Sequence, residues 1–325
     1  IELSSYTDKE KLQIAKTHLL PKQLKEHGLK KSQLTIADEA IVELIRGYTH
    51  EAGVRELERE TAAVCRKAAM DIGSGKTRVR VGKQKLAAYL GAPKYTHGAI
   101  DAINEIGLAN GLAWTSFGGE TLQIEVQIVP GSGQVILTGK LGDVMQESAK
   151  AALTFIKAHA EEFGITLPLD KKDIHLHVPE GAVPKDGPSA GITMTVALLS
   201  ALTNTPVKGS VAMTGEISLR GRVLPIGGLK EKTMAAYKYG IKTVVIPKAN
   251  EPDLDEIDKT VKENLSFVTV ESIDEVLPIA FENGGYAKPA DGTGKVSDGK
   301  NVSETKSAPL PGARTKKPHG STAVV

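Results

Sequence analysis

The chain has 325 residues, enough for about two domains, with 40% hydrophobic and 25% charged residues, the ordinary composition of a protein that buries apolar cores. Cys65 is the only cysteine, which excludes an internal disulfide and a cysteine-rich metal site. The net charge is +2, and residues 284–325 carry seven Lys/Arg against three Asp/Glu, so the rest of the chain lacks the basic surplus that is typical of nucleic-acid binding.

Residues 1–92 show the apolar spacing of helices. Thr7 and Glu10 form a capping-box pattern that predicts a helix start, and Gly28 is typical of a helix end. Helical spacing continues in two later groups of residues, which are Ile36, Ala40, Ile41, Leu44, Ile45 and Tyr48, and Val54, Leu57, Val64, Cys65, Ala68 and Ile72. A strand candidate at 78–81 precedes one more helix, 83–90. These patterns predict a small four-helix unit.

Residues 93–283 change in character after a predicted linker at 93–105. Leu122, Ile124, Val126 and Ile128 alternate with polar residues, as a half-buried strand does. Further strands are predicted at 135–137, 174–178, 211–214 and 244–246, with helices at 144–162, from about 189, at 228–239 and from 273. Interleaved strands and helices predict a mixed α/β domain. Residues 284–325 are rich in Gly, Pro, Ser, Thr and Lys, which predicts a disordered tail; a tail that touches nucleic acid or a partner is the alternative.

The amino terminus lacks the layout of a signal peptide. The longest apolar stretch, 192–202, is much shorter than the roughly 20 residues that cross a bilayer. We therefore expect a soluble protein.

Three patterns resemble functional motifs and fail on their own requirements. Gly73–Thr77 resembles the end of a phosphate-binding loop, but Met70 stands where that loop needs Gly, and a helix precedes it where a strand should. Gly187–Gly191 matches G-x-S-x-G, but the only histidine after its serine is His319, in the tail. His175 and His177 share a strand face with no further ligand at zinc spacing, so a locally hydrogen-bonded pair is the plain interpretation and a supporting role beside the active site is the alternative.

The loop that ends in Ser189 and opens a predicted apolar helix has two interpretations. Ser189 could simply cap that helix. Alternatively, it is a nucleophile, and the amide groups at the helix start hold a developing oxyanion beside it. Since the histidines are doubtful, the candidate base is a lysine whose pKa falls from about 10.4 toward roughly 7–8 by burial. Lys230 and Lys232 are both available, and Lys232 shares a helix face with Leu229 and the alanines at 235 and 236. Periodicity alone does not decide between them.

Three segments resemble the signature segments of bacterial Lon proteases of the LonA type. They are Pro184–Gly191 (PKDGPSAG), Met213–Glu216 (MTGE) and Arg222–Lys232 (RVLPIGGLKEK). The similarity runs from about residue 1 to residue 282. It implies an α+β multidomain fold, with a small all-α AAA+ lid subdomain at 1–92 and a mixed α/β Lon-type proteolytic domain at 93–283.

The resemblance also implies the roles of particular residues. Ser189 falls on the nucleophile, Lys232 on the general base, and Thr214 on a hydrogen-bond partner of that lysine. The resemblance also places Trp114 and Glu125 by the substrate groove and lets Asp186 gate the serine loop, with Gly187 in support. Arg55 matches the sensor arginine that reaches toward the ATP γ-phosphate. No Walker motif is present in these residues, so we expect peptide cleavage without a cofactor, whereas the full-length family uses ATP and magnesium.

The family implies a cytoplasmic homohexamer that degrades misfolded, regulatory or degron-bearing proteins, with no membrane partner. Two other functions stay open at this point. One is a Ser-His-Asp hydrolase that uses His175 or His177 with Asp186. The other is a non-catalytic lid and scaffold in which Ser189 only caps a helix.

Overall fold

The computed structural model of the chain describes residues 5–95, 103–115, 118–179 and 184–284. The predicted tail from 285 onward, with His319 in it, lies outside the described residues. So do residues 96–102 of the predicted linker and 180–183 of the serine loop.

The amino-terminal part forms the helical unit. Helix α1 (Asp8–Ile14) begins at the predicted capping box, in which Thr7 Oγ1 accepts from the Glu10 amide and the Thr7 amide donates to the Glu10 carboxylate. A π-helical turn (Ala15–Leu19) joins α1 to α2 (Leu20–Glu26), and Gly28, with φ of +67°, follows its end. The remaining helices of this unit are α3 (Asp38–Tyr48), α4 (Arg55–Gly73) and α5 (Lys83–Leu90).

A short parallel strand pair crosses the helical unit. Strand β1 (Leu34–Ile36) pairs with β2 (Val79–Val81), so the strand predicted at 78–81 is present. Ile36 was expected in a helix and lies in β1 instead. Leu34 and Ile36 are buried while Thr35 is exposed, which is the alternation of a strand. Residues four apart, such as Ile36 and Ala40, lie on the same face of a helix and also of a strand, so the spacing did not distinguish the two.

The carboxy-terminal part is built on a mixed sheet, which has seven strands among the described residues in the order β11-β10-β7-β3-β4-β6-β5. Strand β4 pairs antiparallel with β3 and β6, and the other pairs are parallel. The strands are β3 (Leu108–Thr115), β4 (Gly118–Pro130), β5 (Val135–Thr138), β6 (Lys172–His177), β7 (Val211–Met213), β10 (Thr243–Pro247) and β11 (Ser266–Val270). A separate hairpin joins β8 (Glu216–Ile217) to β9 (Val223–Leu224), with Gly221 in its turn.

Helices cover this sheet and carry the site. The predicted helices are present as α6 (Asp143–Ala158), α7 (Gly191–Thr203), α8 (Leu229–Lys238) and α10 (Ile273–Ala280), and α9 (Lys259–Asn264) is an addition. Short 3₁₀ turns complete the elements, at Leu169–Lys171, Pro188–Ala190, Lys248–Glu256 and Glu282–Gly284. Helices α6 and α7 share one apolar core with the sheet, and α8 packs into a second core that includes Leu112 and Val244.

The fold class is thus the expected α+β arrangement of a helical unit and a mixed α/β part. The described residues belong to one compact unit. The apolar core of the helical unit is separate from the two cores of the α/β part; the boundaries proposed at 92 and 283 stay predictions. Within the described ranges, no helix has the length and apolar character that spanning a membrane requires.

Candidate active site

Ser189 lies in a tight turn at the amino-terminal end of α7. It is the middle residue of the 3₁₀ turn Pro188–Ala190, and Ala190, not Ser189, occupies the N-cap position of α7. Neither the turn nor the helix has a side-chain cap. The interpretation of Ser189 as a helix cap is therefore wrong. The residue is half-buried, so its hydroxyl is not enclosed in the core.

The loop before Ser189 is tied to helix α6. Asp186 Oδ1 accepts hydrogen bonds from the amides of Met145, in the first turn of α6, and Gly187, at 3.0 and 2.9 Å. A carboxylate at this position satisfies an amide that the helix start leaves unpaired. Gly187 has φ of +127°, a conformation that residues with a side chain rarely adopt. The structure thus shows Asp186 as an anchor of the serine loop; a gating role stays a prediction.

Lys232 lies at the first turns of α8 and is buried. Its exposed fraction is 3%, whereas Lys230 on the same helix is only half-buried. Removal from water disfavours the charged ammonium, which lowers the pKa of Lys232 from 10.5 to about 8. About one Lys232 in ten is then a neutral amine at pH 7, so this lysine, unlike an exposed one, can accept a proton under mild conditions.

Thr214 connects the two candidate catalytic residues. Its hydroxyl accepts a hydrogen bond from Lys232 Nζ at 3.2 Å and donates to the carbonyl oxygen of Ser189 at 3.3 Å. Thr214 itself is fully buried. The Gly215 amide also donates to the Ser189 carbonyl, at 2.8 Å. The Thr214 hydroxyl therefore links the Lys232 amine to the backbone of Ser189. Among the described residues, Lys232 Nζ has Thr214 as its hydrogen-bond partner rather than the Ser189 hydroxyl.

The two histidines form a separate local cluster. Both contact Thr138 Oγ1, through His175 Nε2 at 2.9 Å and His177 Nδ1 at 2.7 Å. The Asp186 carboxylate accepts hydrogen bonds from two backbone amides. No contact among the described residues joins either histidine ring to Asp186 or Ser189. The geometry is that of the locally hydrogen-bonded pair rather than of a Ser-His-Asp triad. Nor do the described residues contain a group of three or more His, Cys, Asp or Glu side chains that could hold a metal ion.

The remaining predicted site residues differ in their distance from this constellation. Trp114 packs against Gly228, immediately before α8, and keeps 61% of its surface exposed, so an apolar platform lies beside the helix of Lys232. Glu125 is exposed on β4, opposite His177 in register. Arg55 is the exposed first residue of α4, in the helical unit. No contact among the described residues links Glu125 or Arg55 to Ser189.

Sequence reasoning missed the contacts that hold the two catalytic elements in place. A Cβ on Gly119 would lie 1.8 Å from the Glu231 carbonyl oxygen, so the start of α8 rests directly on the backbone of β4. Ser148 of α6 donates to the Pro188 carbonyl at 3.4 Å. The Gly118–Gly119 pair in an otherwise strand-forming run was the available signal for the first contact, since glycine inside a strand often marks close backbone approach.

The residues that resembled a phosphate-binding loop do not form an ATP site. Lys76 Nζ pairs with Asp71 at 2.9 Å, and Lys85 and the Tyr89 hydroxyl share the same carboxylate. These partners hold the pKa of Asp71 well below its usual range. Helix α4 precedes this segment and strand β2 follows it, the reverse of the order that presents a helix amino terminus to phosphate.

Comparison with known proteins identifies matches along most of the chain. The model of the Lon protease (S16) C-terminal proteolytic domain matches residues 80–283, and that of the Lon protease AAA+ ATPase lid domain matches residues 25–81. The chain is 56% identical to a Lon protease of Bacillus thuringiensis over 283 residues, which are 86% of this chain and 36% of the relative. It is 54% identical to Lon protease 1 of Bacillus subtilis over 283 residues, 86% of this chain and 37% of the relative. It is 52% identical to Lon protease 2 of Thermus thermophilus over 286 residues, 87% and 36% of the two chains. The chain thus spans about a third of the length of these relatives.

Proposed function

This chain belongs to the Lon protease family, and from that membership we propose that it is a serine endopeptidase in which Ser189 is the nucleophile and Lys232 the general base. The observation that carries the proposal is the buried Lys232 ammonium, hydrogen-bonded to the same Thr214 hydroxyl that contacts the backbone of Ser189. Burial supplies the lowered pKa that a lysine base needs.

The proposed reaction proceeds through an acyl-enzyme. Neutral Lys232 accepts the proton of the Ser189 hydroxyl as Oγ attacks the scissile carbonyl carbon, and the resulting ammonium protonates the leaving amine. Water then attacks the ester, giving its proton to Lys232, and the proton returns to Ser189 Oγ when the acid product leaves. Amide groups around the start of α7 are the candidate donors to the oxyanion. Thr214 orients the Lys232 amine between these steps.

The proposed substrates are unfolded or degron-bearing proteins, threaded past Trp114 as an extended chain. By analogy with its relatives, we place the protein in the cytoplasm as a homohexamer whose full-length form uses ATP and magnesium. We propose that peptide cleavage by this chain needs no ATP, a proposal that the pairing of Lys76 with Asp71 supports.

Four variants test the dyad, with fluorescein-labelled casein as an unstructured substrate and a fluorophosphonate as the label for an activated serine. Lys232→Ala and Lys232→Arg should both lose turnover by at least about a thousandfold while keeping the parent circular dichroism spectrum. Alanine offers no base, and the guanidinium of arginine does not release its proton in this range. His175→Gln and His177→Gln should fold and keep measurable activity. The label should be found on Ser189 by mass spectrometry. An active Lys232→Ala beside an inactive His177→Gln would falsify the assignment.

A further inference from the structure

The helical unit reaches helix α8, which carries Lys232, through one direct ion pair and one pair to the strand on which α8 rests. At the carboxyl end, Lys238 Nζ lies 3.2 Å from Asp8 Oδ1, in the first turn of α1. At the amino end, Glu231 rests on the Gly119 backbone, and the adjacent Glu120 pairs with His50 Nε2 at 3.0 Å. The two ion pairs therefore reach the helix of the proposed base from one side, one directly and one through β4.

The two residues that the helical unit contributes belong to one internally braced body. Asp8 Oδ2 accepts from Arg46 Nε at 2.8 Å, which joins α1 to α3. Lys11, which is buried, donates from Nζ to the carbonyl oxygen of Glu51, next to His50. The His50 amide in turn donates to the Glu56 carboxylate at 3.0 Å. A displacement of this body would therefore move Asp8 and His50 together.

The electrostatics of both pairs favour the contact. Burial raises the pKa of Asp8, but the charges of Lys238 and Arg46 outweigh it, so the pKa of Asp8 lies below its usual value. The hydrogen bond to Glu120 raises the pKa of His50. Lys238 also sits at the carboxyl end of α8, where the helix dipole favours a cation. Partly exposed ion pairs add little to stability, so their geometric effect on α8 is the more important consequence.

Resting on the proposed function, we propose that the Asp8–Lys238 and His50–Glu120 pairs form a clamp through which the helical unit positions α8 and, with it, Lys232. All four residues are positioning residues, since none of them touches the Ser189–Thr214–Lys232 constellation in the described contacts. Lys232 Nζ bonds to Thr214 in this structure, and a proton transfer from Ser189 requires it to approach the serine hydroxyl. A displacement of α8 by a fraction of an ångström is enough to change that approach, because misplacing a catalytic group by 1 Å can cost about 10²-fold in rate.

The test measures kcat and KM on a quenched fluorogenic peptide taken from a casein cleavage site, using the whole 325-residue chain. Asp8→Asn and Lys238→Gln should each lower kcat about tenfold with KM within twofold of the parent, since substrate contacts are untouched. The double variant should be no slower than either single one, because both remove the same pair. Lys238→Arg keeps the charge and should recover most of the rate, which a purely steric role of Lys238 does not predict.

Controls separate this proposal from the one on which it rests. Lys16→Gln breaks an ion pair of similar length, with Asp38 at 2.7 Å inside the helical unit, and should leave kcat unchanged. Glu120→Gln tests the second pair independently, should Asp8→Asn fail to fold. If the parent cleaves, Lys232→Ala is inactive and all clamp variants match the parent, the clamp is wrong and the dyad stands. If Lys232→Ala retains the parent rate, the dyad itself is wrong and the clamp falls with it.

Discussion

At the scale of single residues, the chemistry centres on an ammonium group that the fold withdraws from water. Among the described residues, Lys232 has a hydroxyl, not a carboxylate, as its hydrogen-bond partner, so no paired negative charge offsets the lowering of its pKa by burial. An ion pair at the same position would have kept the lysine charged. The arrangement therefore favours a base at the expense of stability.

That expense is measurable as a pH-dependent free energy of unfolding. The pKa of Lys232 is about 8 when folded and 10.5 when unfolded, so between these values the unfolded chain binds more protons and stability rises with pH. Below pH 8 the full penalty applies, on the order of 3 kcal/mol at 1.36 kcal/mol per pKa unit. Lys232→Met should therefore unfold in urea with about 3 kcal/mol more free energy than the parent at pH 7, and nearly the same at pH 10.5 and above. The half-buried Lys230→Met is the matched control and should differ by less than about 0.5 kcal/mol at either pH.

A second residue-scale prediction concerns Thr214. Thr214→Val keeps the shape but removes the acceptor of the Lys232 ammonium, a hydrogen bond that favours the charged form. The midpoint of the kcat–pH profile should shift downward, and kcat should fall about tenfold because the amine loses its orienting partner. Thr214→Ser keeps the hydroxyl and should stay close to the parent in both. An unchanged midpoint in the valine variant would show that Thr214 does not act on Lys232.

At the scale of elements, the serine loop depends on α6 for its position. Asp186→Ala removes the acceptor of the Met145 and Gly187 amides; it should lower the free energy of unfolding by about 1 kcal/mol and reduce kcat. Asp186→Asn retains an acceptor oxygen and should keep the parent kcat within a few-fold. In a Ser-His-Asp hydrolase the asparagine variant would instead be nearly inactive, since it stabilises the wrong histidine tautomer. Urea unfolding and casein turnover of the two variants distinguish these cases.

Elements with strong local signals were predictable from the sequence, and elements defined by distant contacts were not. The Thr7–Glu10 capping box and the alternation from Leu122 to Ile128 are local, and α1 and β4 follow them. Strand β3 contains Asn110 and Gly111, two residue types that weaken a strand pattern, so it was not predictable. Asn110 donates from Nδ2 to the carbonyl oxygen of the distant Gly209, and Gly111 leaves room for Thr193 of α7 to approach. Ser189 and Lys232 could be proposed from motifs. The burial of Lys232 and its hydrogen bond to Thr214 depend on the tertiary structure, and the spacing of residues along the sequence does not reveal them.

At the scale of the whole molecule, the chain combines a helical unit, most of which matches the Lon lid domain, with the α/β part that carries the proposed peptidase site. The segment that resembled a phosphate loop has a structural role instead, because Asp71 of α4 bonds to Lys76 in the loop that follows α4 and to Lys85 and Tyr89 of α5. Under the proposed clamp, the helical unit acts on catalysis through the Asp8–Lys238 and His50–Glu120 pairs.

From this organisation we expect peptide cleavage by the purified chain to be independent of ATP. Adding ATP with magnesium should leave the casein turnover rate within about 20% of its value without nucleotide, since Lys76 is paired with Asp71 and the segment joins a helix to a strand, the reverse of a phosphate-binding loop. A fluorescent ATP analogue should show no saturable binding. Lys76→Ala, the matched variant, should melt at a slightly lower temperature yet turn over casein at the parent rate, because it loses an exposed ion pair and no catalytic contact. A several-fold acceleration by ATP that Lys76→Ala abolishes would instead show that the Gly73–Thr77 segment rearranges to bind phosphate and that the helical unit is an active nucleotide sensor.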